Sequence, residues 1–186
     1  MTVSVVIPKV TDSSIHTFTG RFVNPLDLQP EDVDICDIAH ALANQCRFSG
    51  HVKKFYSVAD HSLICSKLVD PEFALDALLH DAAEAYLQDM ARPLKHDPRF
   101  GQAYRGAEKR AEKVIAEVFG TTFPILAEIY VADNIALVTE ARDLMHGTSS
   151  WSDSYRLIPP MEDPIIPLTP ARAEEKFLKR FAELTK

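Results

Sequence analysis

His80 and Asp81 stand side by side in the most apolar stretch of the chain, FALDALLHDAAEAYL, and Glu84 follows four residues after the first and three after the second. On a helix that spacing puts all three on neighbouring parts of one surface. Polar groups in so apolar a setting need a reason. An unpaired buried charge is too costly to persist, so such groups end up paired, hydrogen-bonded or on a metal. Asp133 poses the same question in ILAEIYVADNIALV, and His61 poses it in VADHSLIC. Imidazole nitrogen and carboxylate oxygen are ligands for a borderline divalent cation. Two His and two Asp from three helices would leave positions open for water and substrate, as a catalytic metal site requires. Each residue also has a plainer reading. A His-Asp dipeptide is common by chance, Asp133 can be a satisfied carboxylate at a helix contact, and His61 can be a core histidine donating to a carbonyl, as His40 is expected to be. His16, His51, His96 and His146 fall in or near loops, and His51 is of interest beside the segment QCRFSGH.

The elements that must position these groups read mostly as helices. Asp34 suits an N-cap for a stripe of Ile35, Ile38, Ala39, Leu42 and Cys46 that ends at Gly50. Ser57 caps a second helix with Asp60 at the capping-box position and Leu63, Ile64 and Leu68 facing inward. Asp70-Pro71-Glu72 restarts the chain into a central helix carrying His80, Asp81 and Glu84, with Arg92-Pro93 marking its end or a turn. A helix over about 100–119 stops at Gly120. Pro124 opens a long one through Ile125, Leu126, Ile129, Ala132, Ala136, Leu137 and Leu144, closed near Gly147. Residues 148–168, with Trp151 and four prolines, read as a loop over the surface, and Thr169-Pro170 starts an amphipathic helix with Phe177, Leu178, Phe181 and Leu184. VSVVI and TFTGRFVNP are short β-like pieces at the front. The expected fold is all-α, a bundle of five or six helices with a small N-terminal β-like decoration. It forms one domain over 1–186: a helical body at about 34–147, a proline-rich segment at 148–168 and a C-terminal helix at about 170–185.

At 186 residues there is room for one domain and a full core. The net charge of −7 argues against nonspecific nucleic-acid binding, and a phosphate substrate would need locally gathered cations or a metal. No apolar run approaches the ~18 residues of a membrane span, and the start MTVSVVIPKVTD lacks the pattern of a secretory signal. Cys36, Cys46 and Cys65 have no CxxC spacing and read as free thiols in a reducing cytosol. The expectation is a cytoplasmic protein without membrane or nucleic-acid partners. The apolar last helix and the proline-rich segment point to a homo-oligomer.

ADHS at 59–62, HDAAEAYLQDMARPLK at 80–95 and ADN at 132–134 together resemble the HD-domain metal-dependent phosphohydrolases. The nearest resemblance is to the compact group of bacterial 5′-deoxynucleotidases and small phage dATP triphosphohydrolases, from about Asp34 to His146. The stretch 80–95 is the specific part, because Glu84, Asp89, Pro93 and Lys95 stand at the family's offsets. The resemblance implies that His61, His80, Asp81 and Asp133 ligate the metal, that Glu84 is the catalytic carboxylate beside Asp81, and that Asp89 lies near the sugar. It implies that Arg47 and Lys95 hold phosphate. Phe48 stands where the deoxynucleotidases usually carry Trp near the sugar. Read alone, Arg47 could equally be a solvated helix-end cation, and Glu84 could orient a ligand histidine. The implied activity is phosphate release from a deoxynucleoside monophosphate, with dNTP triphosphohydrolysis as the alternative. The implied cofactor is one divalent transition metal (Mn, Co, Fe, Zn or Ni), with Mg on the substrate phosphates as an addition. A reading of another class is a non-catalytic HD module that binds a nucleotide. The complete ligand set and the presence of Glu84 speak against it.

Overall fold

A computed structural model of the protein describes residues 13–146 and 153–186. A two-stranded antiparallel hairpin, β1 Ile15–His16 and β2 Phe22–Val23, precedes a helical body. The body consists of α1 Ile35–Asn44, α2 Val58–Leu68, α3 Ala74–Leu79, α4 Glu84–Leu87, α5 Arg92–Lys95, α6 Gly101–Phe119, α7 Ala127–Leu144, α8 Asp153–Arg156 and α9 Pro170–Leu184. This is the expected all-α bundle with a small N-terminal β decoration. The expectations for VSVVI, Gly147 and Trp151 lie outside the described residues. Among the described residues, no helix is long and apolar enough to cross a membrane.

Local sequence explains most boundaries. Asp34 caps α1 by accepting from the Cys36 amide at 2.8 Å, and Ile38, Ala39 and Leu42 go into the core. Asp37 does more than complement the helix dipole: its carboxylate accepts from the Thr19 amide and hydroxyl at 2.7 and 2.8 Å, which ties the hairpin to α1. Ser57 and Asp60 form the capping box of α2. Gly120 closes α6 in the left-handed region, at φ +70°, which costs glycine nothing. Phe177 of α9 is fully buried against the core that Ile38, Leu42, Val58, Leu78 and Ile115 build. A smaller cluster of Cys65, Ala77, Ile129 and Ala136 joins α2, α3 and α7.

Three expectations are corrected. First, α1 ends at Asn44 and not at Gly50, because the chain turns extended and Cys46 pairs with Ser57 in an isolated β-bridge. The flanking bonds, Arg47 N–H to Tyr56 O at 2.9 Å and Val58 N–H to Gln45 O at 3.1 Å, replace helical ones and take Cys46 off the α1 stripe. Second, the stretch carrying His80 is not one helix. Between α3 and α4 the backbone bonds tighten to an i→i+3 pattern: Ala82 to Leu79, Glu84 to Asp81, Ala85 to Ala82 and Tyr86 to Ala83. Third, His40 is half-exposed, stacked on Phe18 at 3.7 Å and 3.0 Å from the Glu174 carboxylate; it is no core donor to a carbonyl.

Of the proline-rich segment expected as a loop over 148–168, the described part 153–168 begins with the short helix α8 and then runs over the surface, pinned by backbone donors to three side chains. Met161 N–H reaches Thr139 Oγ1 at 2.9 Å, Ile165 N–H reaches Asp143 Oδ2 at 2.8 Å, and Leu168 N–H reaches Asp60 Oδ1 at 3.2 Å.

Candidate metal centre

The tightened turn between α3 and α4 decides where the chemistry-bearing side chains go. At about three residues per turn, side chains three apart eclipse. Asp81 and Glu84 therefore project from the same side, and both line an open cleft of ≈ 740 Å³. His61 from α2 and Asp133 from α7 complete the group. The Nε2 of His61 lies 3.2 Å from Asp133 Oδ1, 3.3 Å from His80 Nε2 and 3.6 Å from Asp81 Oδ2. His80 Nε2 is 3.3 Å from Asp81 Oδ2. The other three expected ligand residues thus each place an atom within 3.6 Å of His61 Nε2. The two imidazoles are buried at the back, and the two carboxylates keep 21% and 23% of their surface open toward the cleft.

The orientation of both rings follows from their outer nitrogens. His80 Nδ1 is 2.8 Å from the Ala77 carbonyl oxygen, and His61 Nδ1 is 2.7 Å from Glu140 Oε1. A carbonyl and a carboxylate only accept, so each Nδ1 must donate. In the neutral rings both Nε2 atoms then carry lone pairs, and these face each other beside two carboxylate oxygens. Nothing but a cation or a proton can sit among four acceptors. Donor–donor spacings of 3.2 to 3.6 Å match the roughly 3.0–3.4 Å between neighbouring ligands of an ion bound at ~2.1 Å. The donor set therefore fits a divalent transition metal. Burial and Arg47 lower the His61 imidazole pKa, but Glu140 and Asp133 carry it above the usual value. Burial likewise raises Asp133, yet the His61 hydrogen bond and charge hold its carboxyl far below the carboxylate range.

Around this point the other expected residues divide. Glu84 is buried, and its Oε2 has no hydrogen-bond partner among the described residues. Burial, and then the charges of Asp81 and Asp89, raise its pKa well above the ordinary value despite Arg47 and Lys95. Arg47 is not a solvated helix-end cation. It is buried, with Nη1 3.5 Å from Asp81 Oδ2 and Nε donating to Glu140 Oε2 at 3.3 Å. Burial opposes its charge, and Glu140, Asp81 and Asp89 hold it. Phe48 sits beneath the guanidinium at 5.4 Å and lines the cleft. Phe48 and Ser49 adopt φ of 55° and 52° ahead of Gly50 at φ 80°. Left-handed non-glycine residues cost on the order of 1 kcal/mol each, and such strain gathers at functional sites. Asp89 and Lys95 also line the cleft. Lys95, however, is paired with Glu108 and is not a free cation for phosphate. The Gln45 side chain staples this wall, donating to Glu84 O at 3.0 Å and accepting from Asp89 N–H at 3.1 Å.

Two residues near the centre escaped the sequence reading. Glu140, with no exposed surface, accepts from His61, Tyr56 and Arg47. It stands seven residues after Asp133 on the same helix, a spacing that does not single it out among the helix's other acidic residues. Cys65 lies one turn after His61 on α2, its Sγ 3.5 Å from His61 Nε2, so that His61, Cys65 and His80 also stand at metal-ligand spacing. Burial raises the thiol pKa, although His61 draws it down, so the sulfur is a protonated neighbour and a poor donor at neutral pH. The cleft continues past the polar cluster to His51, Met90, Leu137, Met145 and Tyr155, the last delivered by the segment after α7.

No family model matches the chain. It is 41% identical over 174 residues to the "Uncharacterized protein YfdR" of Escherichia coli (strain K12), covering 93% of this chain and 96% of that protein. It is 34% identical over 148 residues to the "Uncharacterized protein RCAP_rcc00048" of Rhodobacter capsulatus, covering 73% of this chain and 74% of that protein. With this identity along nearly its whole length, the chain belongs to the family of Escherichia coli YfdR.

Proposed function

We propose that this chain is a divalent-metal-dependent phosphohydrolase of the HD type acting on nucleotides, with a deoxynucleoside 5′-monophosphate as the substrate and phosphate and the nucleoside as products. The observation that carries the reading is the gathering of His80 Nε2, Asp81 Oδ2 and Asp133 Oδ1 within 3.6 Å of His61 Nε2, with both carboxylates lining an open cleft. Metal centres that do hydrolysis use such a set and leave coordination positions free. A bound divalent ion supplies a low-pKa water and polarises a phosphoryl oxygen.

The chain's own residues supply the rest. Arg47, fixed beside Asp81, offers a permanent positive charge to a phosphate next to the acidic groups Asp81, Glu84 and Asp89. Glu84, whose pKa is raised by burial and by Asp81 and Asp89, can give a proton to the departing ester oxygen through Oε2, which has no partner among the described residues. A cleft of ≈ 740 Å³ is far larger than a phosphate needs. Its walls of Phe48, Met90, Leu137, Met145 and Tyr155 suit a flat, largely apolar ring system of the kind a nucleobase presents.

The test is a panel of ribo- and deoxynucleoside mono-, di- and triphosphates, each with Mn, Co, Fe, Zn, Ni or Mg. Phosphate release from deoxynucleoside monophosphates, abolished by a chelator, is the expected result. Release of triphosphate would replace it with the triphosphohydrolase reading. Tight nucleotide binding without turnover under any metal would make the chain a binding module.

A further inference from the structure

We propose that Glu140 is a positioning residue that couples the two halves of the site: through one oxygen it aims His61 at the metal, and through the other it fixes Arg47 beside Asp81. The inference rests on the metal-site reading above. Glu140 is completely buried, and its two oxygens divide their work. Oε1 accepts from His61 Nδ1 at 2.7 Å and from the Tyr56 hydroxyl at 2.9 Å. Oε2 accepts from Arg47 Nε at 3.3 Å.

The arrangement is built into α7. Asp133 and Glu140 lie seven residues apart, two turns and about 10.5 Å along the helix axis, on the same face. The His61 ring spans between them, with Nε2 3.2 Å from Asp133 and Nδ1 2.7 Å from Glu140. One helix thus provides both a ligand and the group that turns a second ligand toward it. The partner strand-like segment provides the rest: the bridge between Cys46 and Ser57 places Arg47 and Tyr56 next to each other, and both reach the same carboxylate.

A plain structural ion pair between Arg47 and Glu140 would satisfy the buried charges without His61. The shortest of the three bonds nevertheless goes to His61. A carboxylate on the outer nitrogen of a ligand histidine fixes its tautomer and raises its basicity. Moving this one group should therefore weaken the metal and, even with metal saturating, disturb the placement of Arg47.

The test compares the wild type, Glu140→Gln and Tyr56→Phe. Zinc and manganese affinities are measured by calorimetry, and KM and kcat for a deoxynucleoside monophosphate are measured at saturating metal. Glu140→Gln is expected to lose roughly 10–100-fold in metal affinity and, with metal saturating, to raise KM more than it lowers kcat. Tyr56→Phe leaves the carboxylate on both partners and is expected to retain tight metal binding. Nitrogen-15 NMR of the zinc-loaded wild type gives a readout that needs no variant: His61 should carry its proton on Nδ1, slow to exchange. A proton on Nε2 would overturn the inference, as would unchanged zinc affinity in Glu140→Gln. A wild type that binds no divalent metal would remove the metal-site reading and this inference with it. A wild type that binds and turns over while Glu140→Gln matches it would remove this inference alone.

Discussion

Replacing Glu84 by Gln changes one atom of the site and almost none of its shape. Glu84 is 6% exposed, and one of its carboxyl oxygens has no partner among the described residues. An amide in its place therefore breaks no hydrogen bond of that atom, and the fold should change by no more than about 1 kcal/mol. What is lost is a movable proton. Burial and the charges of Asp81 and Asp89 raise the carboxyl's pKa above the usual carboxylate range. A divalent ion against Asp81 would oppose that rise, and an acid catalyst works best with a pKa near the working pH. Losing a positioned acid or base is worth ~10²–10⁴ in rate, or about 2.7–5.4 kcal/mol of barrier. The assay is phosphate release from a deoxynucleoside monophosphate, with metal titrated to saturation at each pH. The expected result is a drop of that size in kcat, with KM changed little because Arg47 and the ion still hold the phosphate. The alkaline limb of the wild-type profile should disappear in Glu84→Gln. Recovery of a near wild-type rate at high metal would refute the reasoning, because it would mean that Glu84 only supports the ion's affinity.

Three further outcomes follow from particular residues. Glu112, on α6, has its pKa raised from 4.5 to about 7 by burial and by Glu108. The folded state holds a proton there that the unfolded chain releases, so stability is fullest below pH 4.5 and falls as pH rises toward 7; allowing for partial exposure, Glu112→Gln should gain on the order of 1–2 kcal/mol at pH 8 and nearly nothing at pH 4, read by urea unfolding of the metal-free protein. Phe177→Ala empties a fully buried position between α9 and α1 and should cost about 3–5 kcal/mol by the same measurement; a loss below 1 kcal/mol would mean that α9 is not part of the core. Cys65→Ser should keep the metal stoichiometry, and the cobalt-loaded wild type should lack a thiolate charge-transfer band; such a band would promote Cys65 to a ligand.

Much of this protein is legible in its sequence alone. The caps at Asp34 and Ser57, the stop at Gly120 and the start at Pro170 are local devices, set by hydrogen bonds within a few residues, and they stand where the sequence places them. His61, His80, Asp81 and Asp133 announced themselves as costly groups in apolar surroundings, and that argument needs only composition and period. Three things came only with the tertiary structure. The i→i+3 turn through 80–84, which aligns Asp81 with Glu84, breaks a stretch whose apolar pattern runs on unbroken. The pairing of Lys95 with Glu108 and of Arg47 with Glu140 depends on side chains 13 and 93 residues apart, so no local pattern could tell a free phosphate clamp from an occupied one. Glu140 lay hidden for the same reason. On its own helix it is one acidic residue among several, and it becomes the group behind His61 only when α2 and α7 pack, because a histidine's orientation is set by whatever the fold brings to its second nitrogen.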